Sequence, residues 1–401
     1  MKRRRLLQQL GLASVATAVA IGTHGVAFRT QAQSGKPKRL VVVMLRGAID
    51  GLSVVVPYRE DAYYQGRPTI AILPPSKQDG VLDLDGQFGL NPVLKPLMPL
   101  WRDRTLAFVH ACGSPDPTRS HFDAQEYLES GTPGVKNTRD GWMNRLLGEL
   151  PKTTLTQALN VGRGLPRILS GSNPVATIEL GRNAPRTLAI DGSPLGEAFD
   201  RLYRGSDRIT RAYREGRTAR QRLLDTLESG DENQAKSGNF ERSAQQLAQL
   251  MRSDPGMQLA FLELGGWDTH VTQKGQLDRK LERLGKGLST LASELGEVYG
   301  DTAIAVISEF GRTAKENGNK GTDHGRGNAM WLLGGGIRGG RVYGRWPGLA
   351  ESQLYQKRDL QVTTDFRDAI ATILESHLNL DRDRIARVFP DYEFNSVRGL
   401  T

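Results

Sequence analysis

Along the chain, continuous apolar runs alternate with amphipathic stretches. Residues 39–45 (RLVVVML), 105–111 (TLAFVHA), 259–264 (LAFLEL), 302–308 (TAIAVIS) and 329–333 (AMWLL) are of strand length and lack the polar alternation of a half-exposed strand. Such runs mark strands covered on both faces, the habit of a parallel sheet between helices. Between them, Leu277, Leu281, Leu284, Leu288 and Leu291 recur at helical spacing, so residues 274–299 predict a long amphipathic helix. Ser120 ahead of residues 121–130, with Asp123 three places on, reads as a helix N-cap. Residues 141–150 and 365–377 predict two further helices. Residues 67–73 predict a loop and short strand, and residues 87–98 a helix or turn.

One segment breaks the rhythm. Residues 195–251 are charged, helical in period and poor in strand signal, with 201–228 and 241–251 as helices joined flexibly through 229–238. They predict a helical cap inserted into the core domain. No internal repeat is visible. The fold expected is α/β: an α/β/α sandwich with a mostly parallel sheet, spanning residues 33–401. In such sheets, ligands sit beyond the carboxyl ends of the strands.

Composition changes this picture little. A hydrophobic content of 38% with 46 glycines among 401 residues suits a loop-rich globular chain. The formal charge of +10 owes five positives to Lys2, Arg3, Arg4, Arg5 and Arg29, in a 32-residue stretch without an acid. The remaining +5 is a poor argument for binding nucleic acid. That stretch has a basic start, a moderately apolar run over 10–26 and a small-x-small site at Thr30-Gln31-Ala32, so residues 1–32 predict a cleaved signal peptide. Its paired arginines before Leu6-Leu7 resemble the twin-arginine export signal. The expectation is a periplasmic or secreted protein that meets the twin-arginine export machinery and keeps no membrane span after processing. The lone Cys112 excludes an intramolecular disulfide and, inside an apolar run, reads as a buried thiol.

Candidate chemistry gathers where the apolar runs end. Asp50 follows the first, Asp268 and His270 follow LAFLELGGW, Glu309 follows TAIAVIS, and Asp323-His324 sit in a later polar loop. Acids and imidazoles delivered to one sheet edge suit a divalent metal, zinc before magnesium or manganese, as one ion or two. Plainer readings stand beside these: a turn aspartate for Asp50, helix capping for Asp268, pairing with Arg312 for Glu309. Ser120, at a helix start where free N–H groups favour an anion, is the candidate nucleophile, with Thr118 second. Arg119 could grip an oxyanion, and His121 could serve as a further ligand or a general acid. Trp142, Trp267 and Trp331 read as packing residues.

RGAIDGL at 46–52, SHFDAQEYLESG at 120–131, GGWDTH at 265–270, ISEFGRT at 307–313 and DHGRGNAMWLLGGGIRGG at 323–340 together resemble the domain-of-unknown-function 1501 family. That family is similar to the alkaline phosphatase and sulfatase superfamily, whose members are α/β/α sandwiches with two metals and a Ser, Thr or modified Cys nucleophile. The resemblance implies metal-binding roles for Asp50, Asp268, His270, Glu309 and His324, and a nucleophile at Ser120. It implies an exported hydrolase acting on phosphate or sulfate esters, small or polymer-borne. The alternative is a non-catalytic binding or assembly protein on the same fold. Phe310 stands where the superfamily has a histidine after its acid, and Pro115 lies one place late for the sulfatase cysteine motif at Cys112.

Overall fold

A computed structural model describes residues 37–181, 194–228 and 239–401. The expected signal peptide (1–32), the start of the linker after it and the join at 229–238 lie outside the described residues. The strands are β1 (Arg39–Leu45), β2 (Val55–Val56), β3 (Leu82–Asp83), β4 (Gly89–Leu90), β5 (Leu106–Gly113), β6 (Ala158–Val161), β7 (Ala176–Ile178), β8 (Leu259–Leu264), β9 (Thr302–Ile307), β10 (Asn328–Gly334), β11 (Arg341–Tyr343) and β12 (Thr364–Asp365). The helices are α1 (Asp61–Gly66), α2 (Met98–Arg102), α3 (His121–Ser130), α4 (Trp142–Glu149), α5 (Pro194–Leu202), α6 (Arg208–Glu228), α7 (Asn239–Ser253), α8 (Gln273–Leu295), α9 (Phe366–Ser376) and α10 (Arg382–Val388).

Among the described residues, nine strands form one sheet in the order β11-β5-β10-β9-β1-β8-β6-β7, with β12 added on β5. Strands β9, β1, β8, β6 and β7 pair in parallel, as do β11 and β12 with β5. Only β10 runs against its neighbours β5 and β9. The small sheet β2-β4-β3 is separate.

Alternation along β1 shows how both faces are covered. Val41, Val43 and Leu45 join one apolar layer with Leu247 and Met251 of α7 and Leu281 and Leu288 of α8. Leu40, Val42 and Met44 join the other with Leu146 of α4, Ile370 of α9 and Ile385 of α10. Every residue of β1 and β9 is buried, which explains why their sequences carry no polar alternation. The α/β/α sandwich with a mostly parallel sheet is therefore the fold.

Local expectations fare unevenly. Residues 67–73 hold no strand, whereas the helix or turn expected over 87–98 is a 3-10 helix, Pro92–Leu97, that runs into α2 after the short strand β4. The helix expected over 201–228 is divided between α5 and α6. Within the segment expected as a cap, α7 buries Leu247, Leu250 and Met251 in the main core against α8. Cys112 is buried, and burial pushes its thiol pKa up. Trp142, Trp267 and Trp331 are packing residues, none more than 2% exposed. No helix among the described residues is long and apolar enough to cross a membrane.

Candidate metal centre

The edge formed by the carboxyl ends of β1, β5, β8 and β9 collects the candidate residues. Strand β8 leads into Asp268 and His270, β9 into Glu309, and β5 into the loop before α3, which opens with His121. Because β10 is antiparallel, its amino end lies at this same edge, and the loop just before it carries Asp323 and His324. Glycines let these loops touch. Gly47 has φ +113°, and a Cβ there would sit 2.7 Å from the Asp268 amide nitrogen. A Cβ on Gly321 would lie 2.2 Å from the His270 carbonyl carbon. No side chain fits at either place.

Three imidazoles converge with one carboxylate. The Nε2 of His324 is 3.1 Å from Nε2 of His121 and 3.1 Å from Nε2 of His270. Asp268 Oδ1 lies 2.9 Å from His270 Nε2 and 3.2 Å from His324 Nε2, while its Oδ2 is 3.4 Å from His121 Nε2. His121, Asp268 and His324 each offer a ligand atom within 4.8 Å of the others, the single such group of three found among the described residues.

The opposite ring nitrogens are all spoken for. His121 Nδ1 is 2.8 Å from Glu309 Oε1, His270 Nδ1 is 3.0 Å from Asp323 Oδ1, and His324 Nδ1 is 2.9 Å from the Arg119 carbonyl oxygen. A carbonyl can only accept, so His324 Nδ1 carries a proton. The two carboxylates impose the same tautomer, since hydrogen bonds hold both below the ordinary acid range. For Glu309 burial pushes the other way, but donors from His121, Gln125 and the Gly47 amide prevail. For Asp323 the Asn317 amide leads, with His270 adding to it. This leaves the Nε2 atoms as the free ring positions: those of His121 and His270 both meet His324 Nε2, and all three lie within 3.4 Å of an Asp268 oxygen, a donor set that suits a divalent cation. Acceptors on the far nitrogens of ligating histidines are the usual support of a metal site.

The surrounding charges are uneven. Burial alone would raise the Asp268 pKa, but the Arg312 guanidinium, 2.6 Å from Oδ1, holds it low. The hydrogen bond to Glu309 raises the pKa of His121, whereas burial lowers that of His324. The side chains of Asp268 and His270 remain 40% and 38% exposed, so one side of the cluster is open to a ligand from solvent. Three nitrogens, one oxygen and an open side suit zinc or a similar divalent ion.

The structure rearranges several expected roles. Asp50 stands outside the cluster, fully buried. Its Oδ1 accepts from Arg67 Nη2 at 3.0 Å, and its Oδ2 from Arg67 Nη1, Ser53 Oγ and Gln273 Nε2 at 2.6 Å each. A metal there would have to displace a buried guanidinium. Glu309 and Asp323, expected as ligands, touch histidine Nδ1 atoms and not the point where the Nε2 atoms meet. The Arg119 side chain is bound to Asp359 at 2.5 and 2.9 Å, and only its backbone carbonyl meets the site. Ser120 caps α3 by accepting from the Asp123 amide at 3.5 Å, and Thr118 Oγ1 accepts from the Ser120 amide. His121 joins the cluster. Arg312 pairs with Asp268 and not with Glu309.

Four contributors escaped the sequence. Gln125 lies one turn after His121 and donates to Glu309 at 2.9 Å. Its position four residues on, hence on the same helical face, was the available signal. Gln273, Thr322 and Arg67 carry no local signal. They link Asp50 through the Gln273 amide to Thr322, and Thr322 to Arg312, behind the cluster.

A family model described as "Protein of unknown function (DUF1501)" matches residues 87–389. No curated protein matches the chain. Among solved structures, the chain is similar to the C-terminal periplasmic domain of EcEptC from Escherichia coli, at 13% identity, 92% of each chain covered and a TM-score of 0.39. A protein in the alkaline phosphatase superfamily from Vibrio parahaemolyticus is 13% identical, with 90% of this chain and 71% of that chain covered and a TM-score of 0.38. The lipoteichoic acid synthase LtaP from Listeria monocytogenes is 10% identical, over 86% of this chain and 72% of that chain, with a TM-score of 0.37.

Proposed function

The chain belongs to the DUF1501 family, and from that premise and the site's geometry we propose that it is an exported, metal-dependent hydrolase of phosphate or sulfate esters. The observation that carries the reading is the set of three imidazoles, each fixed through Nδ1, whose Nε2 atoms meet Asp268 at an open sheet edge. His121, His270, His324 and Asp268 would hold one divalent ion. Among the described residues a second ion has no comparable ligand set, because Asp50 and Glu309 are committed elsewhere. A divalent ion in this place supplies Lewis-acid polarisation of an ester oxygen and acidifies water.

The chain's own residues do the rest. The start of α3 points its first-turn N–H groups and the positive end of its dipole toward an anion beside His121. Ser120 precedes that histidine and is exposed, and its Oγ holds only the long 3.5 Å cap bond. It is the hydroxyl we assign to attack, displacing the alcohol and taking the phosphoryl or sulfuryl group until water releases it. Glu309 and Asp323 keep two rings in one tautomer, and Arg312 keeps Asp268 ionised.

The test is hydrolysis of a panel of phosphate and sulfate monoesters by purified protein, before and after chelation and on re-addition of zinc or manganese. Metal-restored turnover, abolished in His324→Ala, is the expected result. Ser120→Ala should fold and lose turnover; undiminished rates in it assign the attack to water. A fully metal-loaded protein that leaves every ester intact returns the account to a binding or assembly protein.

A further inference from the structure

Two exposed apolar side chains directly follow candidate ligands in the chain. Phe122 is 90% exposed and Val271 is 52% exposed. Each directly follows a candidate ligand, His121 and His270, so its Cα lies about 3.8 Å from that histidine's Cα. Those two histidines reach the same atom, His324 Nε2, at 3.1 Å each. Single exposed apolar residues are ordinary on a protein surface. Here two of them directly follow, in the chain, residues of one polar cluster.

Phe122 does nothing for the fold. The buried face of α3 is built by Ala124, Tyr127 and Leu128, and Ser120 and Asp123 make the cap. Phe310 is buried and packs against the histidines, its ring centroid 4.9 Å from that of His121 and 5.2 Å from that of His324. A bare phosphate or sulfate group seated among the four candidate ligands would leave Phe122 and Val271 in water. An ester whose alcohol is apolar would cover them as its anionic end binds.

We propose that Phe122 and Val271 form the subsite for the alcohol portion of the substrate, and that the substrate is an ester of an aromatic or comparably apolar alcohol. The inference rests on the hydrolase reading and adds its substrate class. Flat aromatic groups suit this subsite best, because an offset or edge-on contact with Phe122 adds to the area removed from water.

Non-hydrolysable anions test this without turnover. The probes are phenylphosphonate against methylphosphonate, and benzenesulfonate against methanesulfonate, titrated calorimetrically into the metal-loaded protein. In the pair that binds, the aryl member should bind at least about tenfold tighter, equivalent to ~1.4 kcal/mol. Phe122→Ser should bring the ratio close to one, whereas Phe122→Tyr should keep it. Because Phe122 is exposed, both variants should unfold at the wild-type temperature, which a melting curve checks. Equal binding of aryl and methyl anions, or a ratio that survives Phe122→Ser, overturns the subsite and leaves the hydrolase reading standing. If no probe binds to the metal-loaded protein, the hydrolase reading fails and the subsite falls with it.

Discussion

Replacing Arg67 by methionine should destabilise the protein by about 3–5 kcal/mol, the range for breaking a buried ion pair from one side. The guanidinium is fully buried and makes five hydrogen bonds. Two go to Asp50, at 2.6 and 3.0 Å, one to Ser53 Oγ at 3.2 Å, and two to the carbonyls of Ala314 and Thr313, at 2.8 and 2.9 Å. Methionine fills much of the space but leaves Asp50 Oδ1 with no donor and two carbonyls unpaired. The charge of Arg67 and its hydrogen bonds hold the Asp50 pKa low against full burial, so without Arg67 the carboxylate must be kept ionised at a loss or protonated. Adding Asp50→Asn removes the stranded charge and should restore at least about 2 kcal/mol, because a neutral replacement of both partners is far milder than loss of one. Urea unfolding of wild type, Arg67→Met and the double variant measures this, with metal content determined on each folded sample. A loss under about 1 kcal/mol in Arg67→Met would refute the reasoning, as would a double variant no more stable than the single. So would an Asp50→Asn protein that keeps its stability but sheds its metal, since Asp50 would then be a ligand.

Stability should also fall on mild acidification through His110. Burial lowers its pKa to about 4 from the ordinary 6.5, with Nε2 2.9 Å from the Val55 carbonyl oxygen and Nδ1 accepting from the Ala111 amide. The unfolded chain takes the proton first, so stability is full above pH 6.5 and is lost as pH falls toward 4, by roughly 3 kcal/mol in all. Unfolding free energies between pH 4.5 and 7 should rise with pH, and His110→Gln should flatten the rise; an unchanged slope refutes it. At the site, Gln125→Leu should weaken metal binding by up to about 10-fold, because Gln125 acts one step beyond Glu309, the kind of outer partner whose loss costs about 10–100-fold. Arg46 Nη1 donates to Gln125 Oε1 at 2.8 Å and so turns the amide donor toward Glu309. Arg46→Gln should therefore weaken metal binding too, and add nothing in the Gln125→Leu background; strictly additive losses in a chelator competition would contradict that relay.

The apolar runs made the layered core legible because strands covered on both faces need no polar alternation, and β1, β8 and β9 lie where their runs lie. Direction was not legible. A run such as Asn328–Gly334 reads the same whether parallel or antiparallel, and only the antiparallel course of β10 puts His324 at the site edge. The sequence located acids near the site but not their partners. Whether Glu309 touches a metal or the far side of His121 depends on ring orientation, which no spacing records. Asp50 reads as a ligand in the sequence because it follows the first apolar run in a glycine-flanked turn. Arg67, which claims it, lies seventeen residues on in irregular chain, where no periodicity announces a pairing. The segment 195–251 reads as charged helix throughout, yet the spacing of Leu247, Leu250 and Met251 gives α7 a buried face.

The central claim is one divalent ion held by His121, Asp268, His270 and His324. Elemental analysis of the purified protein after exposure to zinc and manganese, compared with His324→Ala and Asp50→Asn, tests it most directly. The account predicts close to one equivalent in wild type, loss of that equivalent in His324→Ala, and retention in folded Asp50→Asn. No bound metal in the folded wild-type protein, or an equivalent that survives His324→Ala and disappears with Asp50→Asn, would contradict it.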